Sequence, residues 1–228
     1  MEQTMYNMLL RLPLFQGMSR ADLFEVLEKT TFRFCRVEDG KTLYRQGERC
    51  DELSFLMGGT LVAETKAHGA LFSFAEELHP YTAIEVQSLF GKSPNYKSTY
   101  TARGDISLFS IEKRQVYTLI DTYEIFRINL LNMLCSKVEN LHERLWSITP
   151  HDLEGRMVLF VRSLCATPQG TKVLRCKMED LAALLDETRL NVSRIFNKWC
   201  GEGLIEMHRK EFVIHDMDAL LHKITPQP

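Results

Sequence analysis

Residue types that can bind nucleic acid are concentrated in one segment near the end of the chain, positions 189–198. No acidic residue interrupts it, and Arg189, Asn191, Ser193, Arg194 and Lys198 would share the face of a helix opposite its apolar residues. Arg and Asn side chains can form paired hydrogen bonds with base edges, and Ser can bind bases or phosphates. This set is typical of a helix that lies in the major groove of DNA.

The apolar residues around these side chains predict two short helices joined by a tight turn. The first helix has an apolar face at helical spacing, formed by Leu181, Leu184 and Leu185. The second repeats at i, i+3, i+4 and i+7 with Val192, Ile195, Phe196 and Trp199. Between them Asp186 can adopt the left-handed conformation that a sharp corner needs. Gly201 and Gly203 end the second helix.

A predicted hairpin follows the helix pair. Two strand-like runs, 204–207 and 211–215, flank the basic residues Arg209 and Lys210. An amphipathic helix pair in an all-α core, the simpler interpretation, does not explain this hairpin. Helix–turn–helix plus hairpin indicates a winged helix–turn–helix, with Arg209 and Lys210 placed to bind phosphate.

The charge of the chain restricts the kind of DNA binding that we expect. The net charge is −2, and residues 151–228 hold eleven Lys or Arg against eleven Asp or Glu. Because nonspecific affinity rises with the number of phosphates neutralised, this balance predicts a small, specific footprint.

Composition favours a protein of the cytoplasm. The chain is 45% hydrophobic and 25% charged, as in globular proteins with a substantial core. We expect no membrane association, because no apolar run reaches membrane-spanning length and the N-terminus lacks the pattern of a secretory signal. The six cysteines are scattered, so we expect buried, reduced thiols and no metal site.

The first half of the chain changes from a helical to a strand-like pattern. Residues 4–31 look helical, with Ser19 as an N-cap. From 31 to about 111, short alternating segments are separated by turn signals such as Gly58–Gly59 and Arg103–Asp105. Many short strands at this spacing predict a small β-barrel or jelly roll.

A long helix is predicted next, from about Asp121 to Ile148. Its apolar residues recur at three- and four-residue steps: Phe126, Leu130, Leu134 (or Met133), Val138, Leu141 and Leu145. The helix could pack on its own domain, but its length favours the seam of a two-fold dimer. Thr149 and Pro150 would cap the next helix and form a hinge.

In this order the elements resemble the cyclic AMP receptor protein/FNR family of bacterial transcription regulators. The resemblance covers nearly the whole chain and is carried by LFQGMS, DGKTLYRQGERCDELSFLMGGTLV, Leu153–Arg156 and TRLNVSRIFNKWCGEGLI. It implies an α+β fold with a cyclic-nucleotide-binding-like β-roll over residues 1–120, a dimerisation helix over 121–148 and a winged helix–turn–helix over 149–228. It also implies a homodimer on a two-fold-symmetric site in double-stranded DNA.

On this resemblance, Arg189 and Arg194 fall at base-reading positions. Arg suits guanine because its two donors match O6 and N7. Many members carry Glu where this chain has Leu190, which could touch only a thymine methyl. Whether Asn191 reads adenine or binds phosphate stays open, as does the choice between base and phosphate for Arg194.

The resemblance also locates an effector pocket at Glu85, Val86, Lys97 and Ser98. Members that bind cyclic AMP carry Gly-Glu where this chain has Glu85-Val86, and Arg where it has Lys97. Loss of the Gly removes a close backbone approach, and Lys lacks the bidentate geometry of Arg. Val86 leaves the ribose hydroxyl unpaired, at a cost of about 1–3 kcal/mol. We therefore expect no response to cyclic AMP.

The effector itself stays open at this point. Lys97 and Ser98 could bind another anion, His68 and His79 could ligate haem, or no effector is required. The four-cysteine cluster of iron–sulfur members is absent, since only Cys35 and Cys50 precede the long helix.

These observations predict a dimeric, sequence-specific transcription regulator and not an enzyme. RNA polymerase would be a further partner of an activator, and the short loop Ala166–Thr171 leaves activation or repression open. The alternative is a ligand-binding sensor whose helix–turn–helix mediates protein contacts. Steep salt dependence of binding would distinguish the regulator from the sensor.

Overall fold

The computed structural model describes residues 2–146, 152–167 and 169–222. These residues form two compact units. The first comprises residues 1–61 and 78–145, and the second comprises residues 62–77 and 146–228. In the described ranges, no helix is both long and apolar enough to cross a membrane.

The N-terminal segment predicted to be helical over 4–31 consists of two helices, and the second begins directly after Ser19. Helix α1 spans Glu2–Leu9 and α2 spans Arg20–Lys29, with a 3₁₀ turn at Pro13–Phe15 between them. Proline inside a helix removes a hydrogen bond, and Gly17 has a φ of 80° that a helix does not allow. The predicted N-cap is confirmed, because the Ser19 hydroxyl accepts from the Asp22 N–H at 3.1 Å.

The strands of the first half confirm the predicted β-rich domain. They are β1 Phe32–Val37, β2 Thr42–Tyr44, β3 Glu52–Lys66, β4 Phe72–Leu78, β5 Ala83–Ile84 and β6 Thr99–Glu112. In the first unit β6 pairs antiparallel with β1 and β2, and β3 pairs antiparallel with β5. A four-residue helix, α3 (Val86–Leu89), follows β5.

Two of the predicted turns lie inside strands. Gly58 and Gly59 belong to β3, and Gly104 belongs to β6. A Cβ on Gly59 would lie 2.5 Å from the Asp105 carbonyl oxygen, and its φ is 82°. Glycine here permits the close approach of two strands. It does not end a strand, as the predicted turn would have required.

Helix α4 spans Lys113–Thr122 and α5 spans Glu124–Leu145. The long helix predicted from about Asp121 is α5, and a separate helix, α4, precedes it and ends before Tyr123. The predicted hinge at Thr149 and Pro150 lies outside the described residues.

The predicted dimer seam is wrong for its first two members. Phe126 and Leu130 are buried in their own unit, where the Phe126 ring lies 5.3 Å from that of Phe15. The periodicity was correct, but the N-terminal half of α5 uses it to pack on the monomer. Leu134 is half-buried. The exposed large apolar residues of α5 are Ile125, Ile128, Leu131, Val138, Leu141 and Leu145.

The second unit contains the predicted winged helix–turn–helix. Its elements are α6 Leu153–Leu164, β7 Lys172–Cys176, α7 Met178–Leu184, α8 Arg189–Gly201, β8 Ile205–His208, β9 Glu211–Ile214 and α9 Met217–Leu221. The strands form an antiparallel sheet in the order β4-β7-β9-β8. Helix α6 begins after Asp152, whose side chain accepts from the Gly155 N–H, and not after the predicted cap Thr149.

Residues 62–77 contribute a strand to this C-terminal sheet. Strand β4 pairs with β7 from Phe72↔Cys176 to Glu76↔Lys172. Lys172 is fully buried, and its Nζ lies 3.3 Å from Glu76 Oε2 and 2.6 Å from the Gln169 carbonyl. The Glu76 carboxylate also accepts from the Ala166 N–H at 3.0 Å. A buried ion pair therefore joins β4 to the rest of this unit.

Replacing Lys172 by Met should lower the free energy of unfolding by about 3 kcal/mol, because it leaves the Glu76 carboxylate buried without its cation. Urea unfolding followed by tryptophan fluorescence would measure the loss. Lys177→Met, at an exposed position of the same unit, is the matched control and should change stability little. Equal effects of the two substitutions would contradict this account of β4.

Candidate nucleic-acid interface and ligand site

The corner between α7 and α8 has the geometry that the sequence predicts. Asp186 has a φ of 51°, in the left-handed region. Thr188 then caps α8, with its hydroxyl accepting from the Asn191 N–H at 3.2 Å. This cap was not predicted, although a Thr just before the first helical residue is a standard signal. The other end of α8 closes with Gly203 at a φ of 71°.

One face of α8 is anchored in the core of the second unit. Val192, Phe196 and Trp199 are buried. The Phe196 ring stacks on Phe212 with centroids 4.2 Å apart, which fixes α8 against β9. Leu184 differs from the prediction because it is exposed, while Leu181 and Leu185 are buried.

The opposite face of α8 presents the residues predicted to bind DNA. Arg189, Leu190 and Arg194 are exposed. Asn191 and Ser193 are half-buried. The structure therefore brings the predicted set onto one helix face, with the first turn as its most exposed part.

Carboxylates of the same unit already engage part of this face. Arg189 Nε lies 3.2 Å from Glu179, and both side chains are well exposed. The Asn191 amide donates to Glu187 at 3.2 Å, and this bond lowers the pKa of that carboxyl. Lys198 donates to Glu154 at 2.8 Å, which raises the pKa of Lys198.

Glu154 and Arg156 position α8, and neither role was predicted from the sequence. Glu154 Oε1 accepts from the buried Trp199 indole N–H at 2.8 Å, while its other oxygen pairs with Lys198. Arg156 pairs with Glu187 at 2.7 Å, in the corner before α8. The Leu153–Arg156 stretch was recognised only as a family motif, and its contacts could not be read from spacing.

The hairpin of β8 and β9 places Arg209 and Lys210 at its tip. Both residues are exposed, and Lys210 has a φ of 63°. The Lys210 carbonyl accepts from the Cys176 N–H at 3.1 Å, so the tip is fixed to β7. The two basic side chains are thus carried by a supported turn, as the wing prediction requires.

In the first unit, the four residues of the predicted effector pocket lie on two segments. Glu85 and Val86 are buried where β5 meets α3, and Ser98 is buried just before β6. Lys97 is exposed, and its Nζ lies 3.4 Å from Ser93. The backbone N–H groups of Lys97 and Ser98 both donate to the Glu85 carboxylate, at 2.8 and 2.9 Å.

Two family models match the chain, one for each of these sites. The model described as cyclic nucleotide-binding domain matches residues 34–123, and that described as Crp-like helix-turn-helix domain matches residues 155–223. The chain belongs to the Crp/Fnr family. The predicted fold class is confirmed with it, and this Crp/Fnr protein is a transcription regulator with a DNA-binding helix–turn–helix.

Solved structures support the same fold for this Crp/Fnr protein. The catabolite activator protein of Thermus thermophilus is 20% identical, with a TM-score of 0.51 over 92% of this chain and 97% of that one. The sensor domain of the transcriptional regulator DNR from Pseudomonas aeruginosa is 20% identical, with a TM-score of 0.53 over 67% of this chain and 98% of that one. A search of curated proteins found no match.

The residues of this Crp/Fnr protein that could ligate haem or a metal lie apart from one another. His68 and His79 are both exposed, and the described residues contain no group of three or more His, Cys, Asp or Glu suited to a metal. Cys35 and Cys135 are exposed, contrary to the expectation of buried thiols. Burial raises the pKa of Cys176 to about 12, so this thiol stays protonated and unreactive.

Replacing Glu154 by Ala should lower the free energy of unfolding by about 1–3 kcal/mol, because the buried Trp199 indole N–H loses its acceptor. Glu154→Gln, which keeps an acceptor oxygen, should recover most of the loss. Chemical denaturation of the purified variants would measure both. Glu179→Ala is the control, because it removes only an exposed ion pair. If Glu154→Ala were as stable as this control, Glu154 would not be a positioning residue.

Proposed function

We propose that this Crp/Fnr regulator is a cytoplasmic homodimer that binds a two-fold-symmetric DNA site through α8 of both protomers, without responding to cyclic AMP. The observation that carries the proposal is the division of α8 into a buried face and an exposed basic face. A helix fixed in this way can present its first turn to base edges in the major groove.

The exposed residues of α8 suggest what the half-site contains. Arg189 and Arg194 fit guanine, whose O6 and N7 accept two parallel donors. Leu190 offers only an apolar surface, which fits a thymine methyl. Asn191 is hydrogen-bonded to Glu187. It would have to leave that partner to read adenine, so we assign the main base contacts to the two arginines and Leu190.

Phosphate contacts fall to the wing and to the end of α8. Arg209 and Lys210 are exposed at the hairpin tip. Lys198 is held by Glu154 and adds less. Few basic groups and a net charge of −2 fit a protein whose affinity depends on specific contacts in two half-sites.

The exposed side of α5 supports the dimer. Leu131, Val138, Leu141 and Leu145 follow each other at steps of seven, three and four residues and are more than half exposed. These steps place them along one stripe of the helix. An exposed apolar stripe of this length is unusual on a monomer and is the kind of surface that a second copy of α5 would cover.

The buried residues of the effector pocket support the absence of a cyclic AMP response. Val86 is buried and offers no acceptor to a ribose hydroxyl. The donors at positions 97 and 98 already serve Glu85. A nucleotide would have to displace this carboxylate before its phosphate could bind.

Exposed Leu184 and Leu190 favour a second candidate function, in which the helix–turn–helix binds another protein. Protein contact through these residues would depend weakly on salt. Binding to DNA should instead weaken steeply as salt rises, because counterions compete for the phosphates.

Selection of bound sequences from random double-stranded DNA, at two salt concentrations and with no ligand, would test the main proposal. A two-fold-symmetric site containing guanine is the expected result. Arg189→Ala should then cost about 1–3 kcal/mol on the selected site and relax selectivity at one base pair of each half-site. Arg209→Ala is the matched control and should weaken binding to all sequences alike, with a shallower salt dependence.

Unchanged selectivity of Arg189→Ala would mean that α8 does not read the site. Recovery of no sequence at either salt concentration would favour the protein-contact role.

The pair Val138→Asp and Leu141→Asp should convert the protein to monomers of 26.5 kDa, because it places charges within the apolar stripe of both copies. Sedimentation velocity would measure the change. Asn132→Asp with Ser136→Asp, at exposed positions on the opposite side of α5, is the control pair and should leave the dimer intact. A dimer that survives the first pair but not the second would place the interface on the other face.

A further inference from the structure

Glu85 is a buried acid whose side-chain hydrogen bonds converge from two separate segments. Its Oε1 accepts from the N–H groups of Lys97 and Ser98, at 2.8 and 2.9 Å, and from the Tyr100 hydroxyl at 2.9 Å. Its Oε2 accepts from the Lys97 N–H at 2.8 Å and from the Ser88 hydroxyl at 2.6 Å. Each of these groups donates to a carboxylate oxygen, so together they bind a negative charge.

The backbone of Glu85 is held in a conformation that glycine adopts more readily. Its φ is 40° and its ψ is 48°, in the left-handed region. A non-glycine residue persists there only when its surroundings fix it. The hydrogen bonds to the carboxylate supply that constraint. They also explain how Glu can replace the Gly that cyclic-AMP-binding relatives carry at this turn.

The donors around Glu85 would suit a phosphoryl group equally well. Two consecutive backbone N–H groups and two hydroxyls are the donors that commonly bind phosphate oxygens. Lys137 of α5 adds a cation to the surroundings. Burial lowers the pKa of Lys137, and the negative charge of Glu85 opposes this change. The set of Ser88, Lys97 N–H, Ser98 N–H and Tyr100 is called the anion cradle below.

We infer that the Glu85 carboxylate occupies the anion cradle as a built-in substitute for the phosphate of a cyclic nucleotide. This inference rests on the proposed function and specifies how its effector site is regulated. The ligand of the cradle is part of the chain and is always present. Free cyclic nucleotides and inorganic phosphate therefore do not bind there.

An internal ligand changes how the sensor unit behaves. The cradle joins the turn at residues 85–88 to the segment at 97–100, and a diffusible anion would join them only while bound. Because Glu85 cannot dissociate, the two segments stay together at any nucleotide concentration. The first unit therefore stays in the state in which the cradle is occupied. Regulation by this pocket would require displacement of the Glu85 carboxylate.

Glu85→Gly should turn the cradle into a binding site for free anions. The substitution removes the carboxylate, relieves the positive φ and leaves the four donors in place. Thermal unfolding of the full chain with inorganic phosphate or cyclic AMP would detect the site. At a tenfold excess over Kd, we expect the midpoint of Glu85→Gly to rise by about 3–6 °C. The wild type and Glu28→Gln, which alters an exposed acid of the same unit, should show no rise.

The inference is overturned if cyclic AMP or phosphate stabilises the wild type as much as Glu85→Gly. It is also overturned if folded Glu85→Gly responds to neither anion. A response to phosphate alone supports it, because the cradle is then an anion site without room for the nucleoside.

Glu85→Asn decides the matter if the Gly variant does not fold, because Asn tolerates the left-handed backbone. Its side chain is one methylene shorter and carries a single acceptor oxygen, so the Lys97 and Ser98 amides should lose their acceptor and exchange with solvent at least about tenfold faster than in the wild type. Unchanged exchange would overturn the inference. None of these measurements involves DNA, so their failure is distinguishable from failure of the proposed DNA binding.

Discussion

The carboxylate of Glu85 connects two segments of the N-terminal unit that are twelve or more residues apart in the chain. In a cyclic nucleotide-binding domain, this place between the turn and the following strand suits a charged ligand. Here the donors that would bind such a ligand are satisfied from within. Leaving several buried donors without an acceptor would cost far more than the strain of one left-handed residue, so the carboxylate stays.

Carboxylates also hold basic residues of α8 in the C-terminal unit, and a more buried carboxylate holds its partner more strongly. Glu154 accepts from the buried Trp199 indole and holds Lys198, while Glu179 meets Arg189 at an exposed position. Exposed ion pairs contribute little to stability, so Arg189 can exchange Glu179 for a base at small cost. Lys198 shares Glu154 with the buried Trp199. It is therefore better suited to hold α8 in place than to exchange Glu154 for a phosphate. This difference makes the first turn of α8 the part most available to DNA.

Periodicity predicted the elements of the C-terminal unit because each has one buried face. The stripe of Val192, Phe196 and Trp199 and the left-handed Asp186 were both found where expected. Glycine was less informative, since Gly59 allows two strands to approach where the sequence suggested a turn. Apolar spacing on α5 could not separate Phe126, which packs on its own unit, from Val138, which is exposed. Spacing reports which face is apolar, and only the fold shows what covers it.

The family resemblance predicted an effector pocket at residues 85–98, but it did not predict that Glu85 would accept hydrogen bonds there. The sequence shows that Glu85 stands where relatives have Gly, and this suggested only a lost contact. That its side chain turns back to the N–H groups of Lys97 and Ser98 depends on the left-handed backbone and on the path of β6. Such a contact between distant segments has no signature in a single sequence.

The most direct test of the account is the affinity of the wild-type protein for its selected DNA site, measured with and without millimolar cyclic AMP. A regulator whose cradle is filled by Glu85 should bind the site without ligand, and its Kd should not change when cyclic AMP is added. A Kd that falls tenfold or more with cyclic AMP would show that a nucleotide displaces the carboxylate, and would contradict the account.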